Sequence, residues 1–99
     1  MIGYTLQVIV HFLHKGLQLL YENGDQRRVS SAHVARVERI LARLDEATGP
    51  TGTDLPGFRL HPLKGDLTGY WSVVVSANWH IVFRFEGADA RDVDLVDYH

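Results

Sequence analysis

The sequence predicts an α+β fold, with two helices followed by a run of strands. Apolar residues recur at helical spacing as far as Leu44 and alternate with a period of two from Phe58 onward. A Gly/Pro/Thr/Asp-rich stretch between residues 49 and 57 separates the two patterns, and such segregation is α+β rather than alternating α/β. A chain of 99 residues, 45% of them apolar, has room for one hydrophobic core and one domain.

The elements follow in order. An apolar run from Leu6 to Leu13, broken by Gln7 and His11, is suited to one extra strand ahead of the helices. It lacks the basic start and the cleavage site of a secretory signal and is too short to span a bilayer, so a cytoplasmic, membrane-independent protein is expected. His14 to Asn23 reads as a first helix, because Leu13, Leu17, Leu20 and Tyr21 share a face and Gly24 supplies a stop; Gly16 weakens it slightly. Asp25 to Val29 is a polar, basic connection. Ser30 or Ser31 can cap a second helix with the stripe Val34, Val37, Ile40, Leu41 and Leu44. This helix is expected to end near Ala47, with Gly49 in the left-handed C′ position and Pro50 barring continuation.

Phe58 to Lys64 alternates and runs into a Gly65-Asp66 turn. Trp71, Val73, Val75 and Ala77 mark one face of a strand over residues 70–77; Trp79, Ile81, Phe83 and Phe85 mark one face of the next. Ser76-Ala77-Asn78 is short enough for a hairpin between them. Gly87-Ala88-Asp89 turns into a last strand, Ala90 to Val96. Two helices thus pack on a mainly antiparallel sheet of about four to five strands, whose other face carries His80, Val82 and Arg84 as the candidate working surface.

No cysteine is present, so disulfides, thiolate catalysis and thiolate metal sites are excluded. The net charge of −2 is unevenly spread: residues 1–43 hold six Lys/Arg against three acids, and residues 44–99 hold four against nine. Arg36, Arg39 and Arg43 recur at intervals of three and four, which by spacing alone is an ordinary solvated helix face. His11 and His14 sit three apart, yet no His or Cys/His ligand pattern is present and no metal or other cofactor is expected. Gly65 and Gly69 lie between strands with no helix behind them, so they do not form a phosphate loop. Trp71 and Trp79, on apolar faces, read as core.

The remaining chemistry is that of RNA cleavage at a 2′-hydroxyl, which needs a base, a cation for the charged phosphorane and an acid for the departing 5′-oxygen. Histidine suits both proton-transfer roles. His61 and His99 are the natural pair, Lys64 and Arg84 are candidate phosphate contacts, and Tyr98 can donate a hydrogen bond or stack on a base. Asp97 and the terminal carboxylate would orient His99 and favour its protonated form. A lone strand histidine such as His61 is nonetheless more often structural than catalytic.

Several ordered motifs carry a resemblance. Leu60-His61-Pro62-Leu63-Lys64-Gly65-Asp66, Gly69-Tyr70-Trp71-Ser72, Asn78-Trp79 and Asp97-Tyr98-His99, with His14-Lys15-Gly16-Leu17 upstream, together resemble the HigB toxins of the RelE superfamily over about residues 8–99. The resemblance implies a RelE-like fold and a type II toxin that enters the ribosomal A site and cleaves mRNA without a metal. A HigA-like antitoxin would hold it inactive, the free toxin being monomeric and the complex hetero-oligomeric. It marks His61, Lys64, Asp97, Tyr98 and His99 as active-site residues. Met1 to Gln7 then reads as an N-terminal extension.

Where the family places an arginine after Asn-Trp, this chain has His80. Arginine offers phosphate a permanent two-pronged fork, whereas histidine offers one donor and a charge that depends on pH. Either activity is reduced, or Arg84, four residues along the same face, reaches the phosphate instead; a weakened nuclease is the expectation. Against a ribosome's phosphate surface the basic half acquires a second reading, with Arg27, Arg28, Arg36, Arg39 and Arg43 as ribosome-binding candidates. The alternatives are a ParE-like gyrase poison of the same superfamily, and a degenerate toxin that survives as an antitoxin-binding module.

Overall fold

A computed structural model describes residues 9–97 of the chain. Helices α1 (Lys15–Asn23) and α2 (Val34–Glu46) precede strands β1 (His61–Pro62), β2 (Trp71–Ser76), β3 (Trp79–Glu86) and β4 (Asp89–Asp97). The strands form one antiparallel sheet in sequence order. Short 3-10 turns at Pro50–Thr53 and Gly65–Leu67 fill the connections.

Helix α1 starts and stops on side chains and backbone that suit those jobs. The Nδ1 of His14 accepts the Leu17 N–H at 3.1 Å, satisfying one of the donors a helix start leaves unpaired. Gly24 closes the helix in the left-handed conformation (φ 69°). Gly16 is more than a tolerated weak former: a Cβ there would stand 2.8 Å from His14 Cε1 and 2.9 Å from Arg28 Cβ. It lets the chain after α1 return across the helix.

Helix α2 departs from expectation at both ends. His33, not Ser30 or Ser31, occupies the N-cap, and its side chain makes no capping bond. The Ser30 carbonyl instead accepts the His33 N–H at 2.8 Å, winding residues 30–33 into a turn that delays the helix. At the other end Gly49 is extended (φ −177°), so no left-handed glycine ends the helix. Ala47 does so in an extended conformation, its N–H still reaching the Arg43 and Leu44 carbonyls.

The expected alternation holds for β2 and β3. Val73, Val75, Ile81 and Phe83 are buried and meet Leu17 and Leu20 of α1 and Val37, Ile40, Leu41 and Leu44 of α2 in one core. Trp71 and Trp79 pack against its margin, half-buried. The first strand is shorter than the period-two pattern over 58–64 predicts. Arg59 turns left-handed (φ 53°), Phe58 drops fully into the core with its carbonyl accepting the Val74 N–H at 2.7 Å, and Pro62 has no N–H for a ladder, so the strand proper is only His61–Pro62.

The extra strand ahead of the helices is present in reduced form. Ile9 and Phe12 make isolated parallel bridges to Ala90 and Val93 of β4, with Val10 N–H donating to Ala90 O at 3.0 Å and Leu13 N–H to Val93 O at 2.9 Å. Between Val82 and Arg84 the register slips by one residue, so β4 bulges at Asp92, which is left-handed (φ 54°). Among the described residues no helix is long and apolar enough to cross a membrane.

Candidate active site

Sheet register decides which side chains meet. His61 lies opposite Ser72, Ser72 opposite Val82, and Val82 opposite Asp94, while two residues back along β3 His80 lies between Val74 and Val96. Directly opposed residues share a face, and so do residues two apart on a strand. His61, His80, Val82, Asp94 and Val96 therefore all belong to the face turned away from the helices. The two imidazoles stand with ring centres 6.3 Å apart, edge to face.

Both rings are held in the same manner. His61 Nδ1 lies 3.0 Å from the Arg59 carbonyl oxygen, and His80 Nδ1 lies 3.0 Å from that of Asn78. A carbonyl oxygen only accepts, so each Nδ1 is the donor and the exchangeable lone pair of the neutral ring belongs to Nε2. The strained Arg59 backbone thereby has a use, since it aims a carbonyl at the ring two residues on. Among the described residues no three His, Asp or Glu side chains converge as a metal set.

Lys64 leads off the loop that leaves β1. Leu63 N–H donates to Tyr70 O at 2.9 Å across the base of this loop, and Gly65 is left-handed (φ 67°), so the exposed Lys64 sits at a fixed corner after His61-Pro62. Asp97 ends β4 opposite Trp79 and is exposed. By register it belongs to Trp79's side of the sheet, not to that of His80. Tyr98 and His99 lie outside the described residues, as does the Met1–Gln7 extension.

Arg84 is not where a substitute for the family arginine must be. It lies four residues from His80, roughly 13 Å along the strand at about 3.3 Å per residue. Its Nε donates to Asp92 Oδ2 at 2.8 Å. The same carboxylate accepts from Tyr70 Oη at 2.7 Å, and its other oxygen lies 2.7 Å from His11 Nδ1. Asp92 is held down to about 2 by these bonds, chiefly from Arg84 and then Tyr70, and in return it raises the Tyr70 phenol. The bulge turns the Asp92 side chain toward three separate segments, joining the N-terminal segment, β3 and the foot of the Lys64 loop. Sequence reasoning missed this cluster, because an Asp within an acid-rich strand reads as one more solvated charge.

On the same face an open hollow of about 200 Å3 lies over Val82 and Val96, walled by Leu13, Leu67, Tyr70 and the carboxylates Asp92 and Asp94. Leu13 and Leu67 are exposed although large and apolar.

The five candidate ribosome contacts do not form one stripe. Arg36 is half-buried, with Nε and Nη2 donating to the Val74 carbonyl at 3.2 and 3.1 Å and Nη2 also to Gly57 O. Its guanidinium lies 4.9 Å from the Phe58 ring centre. Arg36 thus fastens α2 to the sheet, which corrects its placement on the solvent face. Arg27 forms a two-pronged pair with Asp25, and Arg43 donates to Gly52 O at 3.0 Å and lies 3.6 Å from Glu46. Arg28 and Arg39 are exposed.

Residues 10–99 match the family of HigB-like toxins, described as the RelE-like toxin of type II toxin-antitoxin system HigB. Over 92 residues the chain is 44% identical to a protein named Endoribonuclease HigB from Proteus vulgaris, a match that spans 93% of this chain and the whole of that one. It is also similar to a solved structure of a YoeB/ParE toxin from Agrobacterium tumefaciens, at 18% identity and a TM-score of 0.49, over 91% of this chain and 99% of the other.

Proposed function

Because the chain belongs to the HigB-like toxins, RelE-like proteins of type II toxin-antitoxin systems, we propose that it is an endoribonuclease that cleaves mRNA on the ribosome by metal-free acid-base chemistry and so stops translation. The observation that carries this reading is the His61–His80 pair, two imidazoles 6.3 Å apart on the open face of the sheet. Each keeps its Nδ1 proton on a backbone carbonyl, which leaves Nε2 as the ring nitrogen suited to proton exchange.

In this reading His61 exchanges a proton with the reacting RNA and Lys64, at its fixed corner, meets the phosphate charge. Tyr98 and His99 complete the site from the chain end, and Asp97, at the end of β4 on Trp79's side of the sheet, orients the His99 imidazole. The hollow over Val82 and Val96 offers apolar side chains against which a base can pack, with Asp94 at its wall as an acceptor for base N–H groups. Arg28 and Arg39 face the ribosome, with Arg27 and Arg43 joining them where their present bonds exchange for phosphate; Arg36 remains part of the fold. A cognate antitoxin is the protein partner, and the site of action is the cytoplasm.

The test is to express the chain and its His61→Ala variant and map mRNA 5′ ends on stalled ribosomes. New cuts within reading frames, reduced about 10²- to 10⁴-fold by His61→Ala, are the expected result. Toxicity with intact mRNA and damaged DNA would indicate a gyrase poison instead.

A further inference from the structure

We propose that His80 is a catalytic residue in its own right: with His61 it forms a two-imidazole acid-base pair, and it performs the proton transfer that the sequence assigns to His99. The inference rests on the nuclease reading above and deepens it. It also replaces the view of His80 as a poor stand-in for an arginine.

Three observations converge on it. Register puts both rings on one face, and the rings approach to 6.3 Å between centres. Two imidazoles this close on one face can both reach a single phosphate bound over them, with an Nε2 at hydrogen-bond distance, about 3 Å, from each apical oxygen. Both Nδ1 atoms donate to the carbonyl two residues back, at the same 3.0 Å distance, so the two rings present the same tautomer and the same reactive nitrogen. An arginine at position 80 could not exchange a proton near neutral pH; an imidazole can. The neighbouring acid on this face, Asp94, is opposite Val82 and accepts the Leu95 N–H at 2.9 Å.

The step balances without any further reactant. Nε2 of the neutral imidazole takes the 2′-hydroxyl proton as the 2′-oxygen bonds to phosphorus. The Nε2–H of the protonated imidazole passes its proton to the 5′-oxygen as the P–O5′ bond breaks. The products are a 2′,3′-cyclic phosphate and a 5′-hydroxyl, and the pair ends with its single proton on the other ring.

Single-turnover cleavage of ribosome-bound mRNA, followed from roughly pH 5 to 9, tests this. Wild type should give a bell with two limbs. His80→Gln should lose one limb and fall about 10²- to 10⁴-fold at the optimum, and His80→Arg should not restore that limb. His99→Ala, whatever its rate, should keep both limbs. The shape of the profile is independent of how much of a variant is folded as long as that fraction is constant across the pH range, which circular dichroism at each pH checks. An RNA with a 5′-bridging sulfur, whose thiolate leaves without a proton, assigns the role: rescue of His80→Gln makes His80 the acid, and limb loss without rescue makes it the base.

The proposal is overturned if His80→Gln keeps both limbs, if His80→Arg matches or exceeds wild type with an unchanged profile, or if His99→Ala is the variant that loses a limb. If wild type cuts nothing, the nuclease reading fails as well. If wild type cuts and His80→Gln keeps both limbs, the failure is confined to His80.

Discussion

Asp92→Asn removes one charge from the cluster that ties three segments together, and it should destabilise the protein by about 1–2 kcal/mol at neutral pH. Asn tolerates the left-handed backbone of residue 92 as Asp does, so the substitution changes charge and acceptor strength and leaves the bulge intact. The magnitude comes from ionisation. The carboxyl falls from 3.8 to about 2 on folding, and at about 1.4 kcal/mol per pH unit this caps the charge-dependent contribution near ~2.5 kcal/mol. The Asp92 side chain is only 17% exposed, but Arg84 is 32% and His11 44% exposed, so solvent screening takes a good part of that. A carboxyl depressed on folding contributes fully above its unfolded value and loses that contribution as pH falls through the folded one. The wild-type advantage should therefore be constant above about pH 4 and shrink toward zero near pH 2. Urea unfolding of both proteins at pH 7, 4, 3 and 2.5 (all roughly spaced across this window) measures the difference, in which every other carboxylate cancels. An advantage that is absent at neutral pH, or that persists unchanged at the acid end, would refute the reasoning.

Gly16→Ala should lower the unfolding midpoint, because the new Cβ meets Arg28 Cβ and the Arg28 carbonyl within about 3 Å; overpacking of about 1–3 kcal/mol outweighs a helix gain of about 1. A midpoint equal to or above wild type in a thermal melt contradicts the close approach. Arg36→Ala should cost about 1–3 kcal/mol by stranding the Val74 and Gly57 carbonyls, whereas Arg39→Ala should stay within about 0.5; equal stabilities in urea would deny Arg36 its structural role. Replacing Arg28 and Arg39 together should flatten the salt dependence of ribosome binding by up to about one in log–log slope per lost phosphate contact, with fold stability unchanged; an unaltered slope removes them from the interface.

Local rules carried the elements. Helical periodicity placed α1 and α2, and alternation placed β2, β3 and β4 within a residue or so, because each pattern follows from which face must leave water. They failed where a neighbour overrode the local signal. The serines before α2 do not cap it, because a turn at residues 30–33 intervenes, and Gly49 is not left-handed, because Ala47 ends the helix first. Phe58 to Lys64 alternates like a strand but is bent at Arg59, since burying Phe58 in the core matters more than extending an edge. Arg36 carries the same spacing as Arg39 and Arg43, yet it alone lies over carbonyls that the sheet brings to α2.

The sequence by itself determined the fold class, the absence of thiol chemistry and, through ordered motifs, the family to which the residues belong. These depend on residue types and on spacing along the chain. Tertiary structure alone decided the company each residue keeps: His61 with His80 across β2, Arg84 with Asp92 rather than with a phosphate-facing partner, and Asp92 as the junction of His11, Tyr70 and Arg84. Positions 61 and 80 are 19 residues apart in the sequence, and only the register of two hairpins turns that interval into 6.3 Å. Register is a pairing between segments, set by the whole core at once, and no single stretch of sequence contains it.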